Sequence, residues 1–154
     1  MRKVFSGLAA LLMLAVAVQF FLAASDAFDT APTEEAFKSH RALGYGLLYL
    51  AVLLTVLAAV IRLPGRLIGL SGLVAGLMIL QPVIAKVAEA FGDPGHATTA
   101  GKLMFGLHGL NAVVILVVLR NVMRQSRELA TGTGGPAGGA PASGPAESSA
   151  HSAS

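Results

Sequence analysis

The chain has 154 residues, of which 55% are hydrophobic and only 12% are charged, and its mean hydropathy is +0.72. Since a soluble domain carries about 25% charged residues, this composition indicates an integral membrane protein. The chain contains no cysteine, which excludes disulfides, thiolate catalysis, iron–sulfur clusters and Cys-ligated zinc. The net charge of +3 does not indicate nucleic-acid binding, because most Lys and Arg residues flank apolar segments.

Four apolar segments are each long enough to cross the roughly 30 Å hydrocarbon core of a bilayer. They cover residues 4–24, 42–61, 67–87 and 103–122. The first follows a basic start and resembles a secretory signal peptide, but its apolar run exceeds the roughly 7–15 residues of a signal h-region, so we expect it to remain as an anchor. The sequence therefore predicts an all-α, up-down-up-down bundle of four transmembrane helices over residues 1–127.

The ends of the predicted helices are marked by hydroxyl residues and by a change in composition. Thr33 is expected to cap the second helix, and Thr98 or Thr99 the fourth, because a side-chain oxygen satisfies an orphan backbone N–H. From Thr131 onward the chain is almost entirely Gly, Pro, Ala, Ser and Thr, which cannot bury enough surface to offset the entropy of ordering. Residues 128–154 are therefore predicted to be a disordered cytoplasmic tail.

The positions of the cations predict the orientation of the bundle. Seven of the eleven Lys and Arg residues lie on the side of the N-terminus: Arg2, Lys3, Arg62, Arg66, Arg120, Arg124 and Arg127. The other side holds four cations and most of the carboxylates. Because Lys and Arg favour the cytoplasmic side of a membrane, both termini are predicted to be cytoplasmic.

Four glycines of the third span share one stripe of the helix, since spacings of 4, 3 and 4 residues return to the same face. They are Gly65, Gly69, Gly72 and Gly76. Such a stripe lets helix backbones approach closely, either inside the bundle, which we expect first, or in a homo-oligomer or an interface with a membrane partner. Gln81 lies nearly opposite the stripe, so one of the two faces must point away from the centre unless Pro82 rotates the helix end.

Polar side chains within the spans are few, and they gather in the outer half of the bundle. Hydrocarbon penalises such groups, so they normally point inward and are candidates for function. The candidate cofactor-binding residues are Gln19, His40, Gln81, His108 and Asn111. The two histidines lie on helices of the same direction, and their depths differ by only about 4–5 Å at a rise of 1.5 Å per residue. Most of the aromatic residues fall in the same half.

Two histidines on diagonal helices are an arrangement that suits axial ligation of haem b. Gly44 and Gly109 could make room for the ring. The same residues also fit a quinone or lipid pocket, or a structural role in which buried hydrogen bonds of roughly 1 kcal/mol each join the helices. The sequence shows no metal-ligand spacing, nucleophile–base pair or phosphate loop, so it gives no indication of an enzyme.

Three segments, Val18–Ala24, His40–Tyr45 and Leu107–Ala112, resemble a family of small four-helix membrane proteins from high-GC actinobacteria, known only as a domain of unknown function. The similarity spans about residues 1–127. It implies a four-pass topology in a bacterial plasma membrane and brings no activity. The helix count and two histidines also resemble membrane b-type cytochromes, although the second histidine pair of that family is missing. Two functions therefore compete: a haem- or quinone-binding module, and a non-catalytic accessory protein that associates through the glycine stripe.

Overall fold

The computed structural model describes residues 1–91 and 98–131, and within this part of the chain every regular element is helical. The helices are α1 (Arg2–Asp26), α2 (Thr33–Ala36), α3 (Lys38–Val60), α4 (Gly65–Ala90) and α5 (Thr99–Thr131). All but the one-turn α2 are long and apolar enough to cross a membrane, with mean hydropathies between 2.0 and 2.3. The predicted all-α class with four membrane-spanning helices is confirmed.

The four long helices form a closed ring of neighbours. α1 packs against α3 and α5, and α4 packs against the same two helices, most extensively against α5. α3 and α5 therefore lie diagonally across the bundle, as the up-down-up-down order predicts. Both helices begin at the same end, so residues in their first turns can meet near the bundle axis.

The core between the helices is apolar and mostly aliphatic. In α1 the buried positions are Phe5, Ala9, Leu12 and Val16, spaced four, three and four residues apart. This is the period of a helix that buries one face. Because lipid tails are as apolar as these side chains, the packing is stabilised by dispersion contacts between close-fitting helices rather than by removal of apolar surface from water.

The connection between α3 and α4 is tight, as the sequence predicts. Arg62 has a φ of 53°, and the Leu63 N–H donates to the Ala58 carbonyl at 3.0 Å. This closure, with one residue in the left-handed region, ends a helix by pairing its last carbonyls. Pro64 then precedes the first residue of α4, so the chain reverses within a few residues and makes α3 and α4 antiparallel neighbours.

The predicted helix ends are right in one case and wrong in another. Thr98 caps α5, since its Oγ1 accepts the Gly101 N–H at 3.1 Å. Thr33 does not cap α2: Pro32 occupies the cap position and no side-chain hydrogen bond forms there. α5 continues to Thr131, past the predicted domain boundary at Arg127. The predicted disordered tail beyond that point, residues 132–154, lies outside the described residues.

Candidate functional site

A chain of contacts among the five predicted site residues crosses the bundle near one end. This is the end where α1 and α4 finish and α3 and α5 begin. Asn111 is buried and the other four residues are half-buried. The contacts run from α1 to α3, from α3 to α5 and from α5 to α4, so the layer joins all four spanning helices.

Gln19 connects α1 to α3 through the backbone of His40. Its Nε2 donates to the His40 carbonyl oxygen at 2.7 Å. A carbonyl is only an acceptor, so this contact fixes the amide orientation and leaves Gln19 Oε1 on the other side. Gly44, one turn after His40, makes the approach possible, because a Cβ there would lie 3.1 Å from Gln19 Nε2. The space predicted at Gly44 is therefore used by a glutamine of this chain, whereas a Cβ at Gly109 would meet no atom within 4 Å.

The two histidine rings meet across the diagonal of the bundle. Their centroids are 6.3 Å apart and their planes are tilted by 47°. Each ring also contacts a phenylalanine of its own helix or the turn before it: Phe37 meets His40 edge-on at 5.9 Å, and Phe105 stacks on His108 at 5.4 Å. The histidines are thus flanked by flat apolar surfaces.

Most of the remaining aromatic residues of this half face outward. Phe21 is 70% exposed and Tyr49 is 74% exposed. Side chains of this kind at the end of a membrane bundle form an interfacial belt. The one-sided distribution of aromatic residues that the sequence shows is therefore explained mainly by the membrane interface. Within residues 1–91 and 98–131, Phe37 and Phe105 are the phenylalanines whose rings contact the two histidines.

His108 and Asn111 connect α5 to α4. His108 Nδ1 lies 3.2 Å from the Gln81 backbone carbonyl, so Nδ1 carries the proton in this contact and Nε2 remains an acceptor. Asn111 Nδ2 donates to the Leu77 carbonyl at 2.8 Å and to Gln81 Oε1 at 3.1 Å. These bonds give His108, Asn111 and Gln81 the helix-joining geometry that a structural role requires.

Among the residues that the structure describes, three buried polar atoms at this end have no hydrogen-bond partner: Gln19 Oε1, His40 Nδ1 and Asp26 Oδ2. A buried polar group that is left unpaired costs about 1–3 kcal/mol, so these three atoms are candidates for contact with a bound molecule. Asp26 is not among the site residues predicted from the sequence. Its spacing from Gln19, seven residues or about two helical turns, is the signal that places both on one face of α1.

The glycine stripe of α4 points mostly away from the bundle. Gly65, Gly69 and Gly76 are exposed, and a Cβ at any of them would meet no atom within 4 Å. Only Gly72 faces a neighbour, with Thr55 Cγ2 at 3.7 Å from its Cβ position. The expected packing inside the bundle is therefore wrong for Gly65, Gly69 and Gly76. Gln81 lies on the opposite side of α4, and that side faces α5. An interface of the stripe with a second copy or a membrane partner stays a prediction.

Part of the chain matches a protein family whose function is unknown. Residues 19–89 match DUF6220, a family of unknown function. The match confirms the predicted resemblance to a domain of unknown function, whereas the actinobacterial source and the likeness to b-type cytochromes stay predictions. The matched stretch begins at Gln19 and contains His40 and Gln81, and it ends before His108 and Asn111. No curated protein and no solved structure matches the chain.

Proposed function

We propose that this multi-pass membrane protein binds the head group of a quinone-class lipid in the outer half of its bundle. The observation that carries the proposal is the pair of buried, unpartnered atoms Gln19 Oε1 and His40 Nδ1. Buried polar atoms in proteins normally have partners, and the neighbouring amide of Asn111 has two. A ligand that brings hydroxyl groups would complete the layer, because an O–H can donate to the Gln19 oxygen.

The surroundings of these two atoms suit a flat ring with an apolar tail. Ligand sites in proteins are mostly apolar, with a few polar groups that fix orientation. Here Phe37 and Phe105 provide aromatic surfaces beside the histidines, and many large apolar side chains are exposed on the outer sides of the helices. A head group held by Gln19 and His40 would therefore leave its tail in the bilayer.

The orientation belongs to the proposal as well. The arginine-rich end would face the cytoplasm of a bacterial cell and the polar layer would lie near the outer face of the plasma membrane. Reporter fusions at Asp29 and Thr131 should report outside and inside, respectively. The reverse pattern would move the site to the cytoplasmic face.

Binding can be tested on the full chain purified in detergent, with a water-soluble short-chain benzoquinone followed by equilibrium dialysis. We expect saturable binding that His40→Phe weakens about tenfold for the oxidised and the reduced form, and that Gln19→Met weakens about tenfold for the reduced form, whose hydroxyl can donate to Gln19 Oε1, because each change removes a hydrogen bond to that ligand. Thr55→Val is the matched control, since the Thr55 hydroxyl donates to the Ala51 carbonyl of its own helix.

Circular dichroism and thermal unfolding of each variant show whether the bundle remains folded. Absence of saturable binding by the unmodified protein, or equal binding by folded Gln19→Met and His40→Phe variants, would contradict the proposal.

A second candidate is a b-type haem with His40 and His108 as axial ligands. It is favoured by the approach of the two rings to 6.3 Å and by the contact of His108 Nδ1 with a backbone carbonyl. A histidine that ligates a metal usually donates its other ring N–H in this way, which fixes the tautomer and the ring orientation. Haem would supply one-electron transfer, and Gln81 would act by orienting His108.

The haem candidate predicts a spectrum. Protein purified from cells given excess haem should show a Soret band and, after dithionite reduction, an α band that His40→Ala and His108→Ala both abolish. Protein without these bands would rule out haem as the cofactor. Bands that survive both substitutions would show that other residues are the ligands.

A further inference from the structure

We infer that the site prefers a ligand with hydroxyl groups, so that it binds a hydroquinone more tightly than the corresponding quinone, and that Asp26 sets this preference. The inference rests on the proposed quinone-class function and names the redox form that the site recognises. It is carried by the chemical nature of the three unpartnered atoms, Gln19 Oε1, His40 Nδ1 and Asp26 Oδ2.

Gln19 presents an acceptor to the site, not a donor. Amide nitrogen and oxygen could in principle be exchanged, but Gln19 Nε2 lies 2.7 Å from the His40 carbonyl oxygen. Two oxygen atoms without hydrogen would repel at this distance, so the nitrogen must face His40. The buried oxygen of Gln19 is therefore available only to a hydrogen-bond donor.

Asp26 adds a second acceptor on the same side of α1. A carboxylate accepts hydrogen bonds and cannot donate them when ionised. Asp26 is the last residue of α1, two turns beyond Gln19 on the same face of the helix, and its Oδ2 is buried. Arg41, the cation next to His40 in the chain, donates to the Glu34 carbonyl. Gln19 and Asp26 thus supply two buried acceptor oxygens on the face of α1 from which Gln19 contacts His40.

The third atom, His40 Nδ1, can accept or donate according to the tautomer of the ring. A quinone offers only carbonyl acceptors, so it can pair with His40 but would leave Gln19 Oε1 and Asp26 Oδ2 unpaired. A hydroquinone offers two O–H donors and can pair with these oxygens. Sites built to hydrogen-bond a hydroxyl discriminate strongly against ligands that lack it, because their own polar groups are left unsatisfied.

The test compares the two redox forms of one short-chain benzoquinone on the full purified chain, under argon and with ascorbate for the reduced form. We expect the hydroquinone to bind at least about tenfold tighter, as one charge-assisted hydrogen bond gives. Asp26→Asn should reduce this ratio about tenfold by weakening hydroquinone binding, with little change in quinone binding. Asp29→Asn is the matched control, because Asp29 is exposed and its Oδ1 accepts the Ala31 N–H.

The possible outcomes separate this inference from the proposed function. If both forms bind equally, or the quinone binds more tightly, the preference is overturned while quinone-class binding stands. An unchanged ratio in folded Asp26→Asn protein would overturn the role of Asp26. Binding of neither form by the unmodified protein would overturn both the inference and the proposed function.

Discussion

Phe5→Ala is expected to lower the stability of the bundle by about 3 kcal/mol, at the lower end of what loss of a buried phenylalanine costs in a soluble core. Phe5 is only 1% exposed and belongs to the apolar core near the N-terminus of α1. In a membrane the transfer of its ring from water contributes little to helix association. The cost comes from the cavity and from the lost dispersion contacts of its neighbours.

The measurement is unfolding of the purified protein by titration with a denaturing detergent, followed by circular dichroism. Phe21→Ala is the matched control on the same helix, because Phe21 is 70% exposed and faces lipid. We expect the control to change stability by less than about 0.5 kcal/mol, as substitutions at exposed positions usually do. Equal losses for the two variants would mean that Phe5 does not pack as described.

The fold could be predicted from the sequence because hydrocarbon imposes simple requirements. Length and polarity identify spans, and short connections such as the one at Pro64 make consecutive helices neighbours. The residues that cap the helices were predicted less well. Thr98 caps α5 as expected, but Thr33 does not cap α2. Pro32 occupies the cap position of α2, and its carbonyl accepts the Glu35 N–H. Neighbouring residues can compete for one cap, and composition alone does not decide between them.

The direction of the glycine face shows a limit of periodicity. A period of 3.6 residues tells which side chains share a face of α4, but in lipid both faces of the helix are apolar, so the pattern does not say which one points inward. The polar residue shows which face of α4 points inward: Gln81 accepts a hydrogen bond from Asn111 of α5, and Gly69 on the other side is exposed. In a membrane helix, a polar side chain is thus better evidence of the inward face than a row of small residues.

The candidate site was found because polar side chains stand out in apolar spans, yet their partners could not be predicted. Gln19 bonds to the carbonyl of His40, and Asn111 to the carbonyl of Leu77. Every residue has a carbonyl group, so no sequence signal marks these acceptors. Asp26 was missed for a different reason: it lies at the end of α1, where a carboxylate is ordinary, and only the fold shows that one of its oxygens is buried.

Asn111→Leu is the second change with a large expected effect, a loss of about 1–2 kcal/mol of bundle stability. Asn111 is buried and donates to two oxygens of α4, the Leu77 carbonyl at 2.8 Å and Gln81 Oε1 at 3.1 Å. Hydrogen bonds between transmembrane helices contribute about 0.6 kcal/mol on average and up to about 1.7 kcal/mol. Leucine also leaves Gln81 Oε1 without the Asn111 donor, which adds the cost of an unpaired polar atom.

A double-mutant cycle with Gln81→Leu separates the pair from the rest of this loss. Because the two side chains share one hydrogen bond, the double variant should lose less stability than the sum of the single variants, by about 0.5–1.5 kcal/mol. Asn121→Leu is the matched control on α5, since Asn121 Nδ2 donates to the Val117 carbonyl of its own helix. Additive losses for Asn111 and Gln81, or an equal loss for Asn121→Leu, would show that Asn111 does not join α5 to α4.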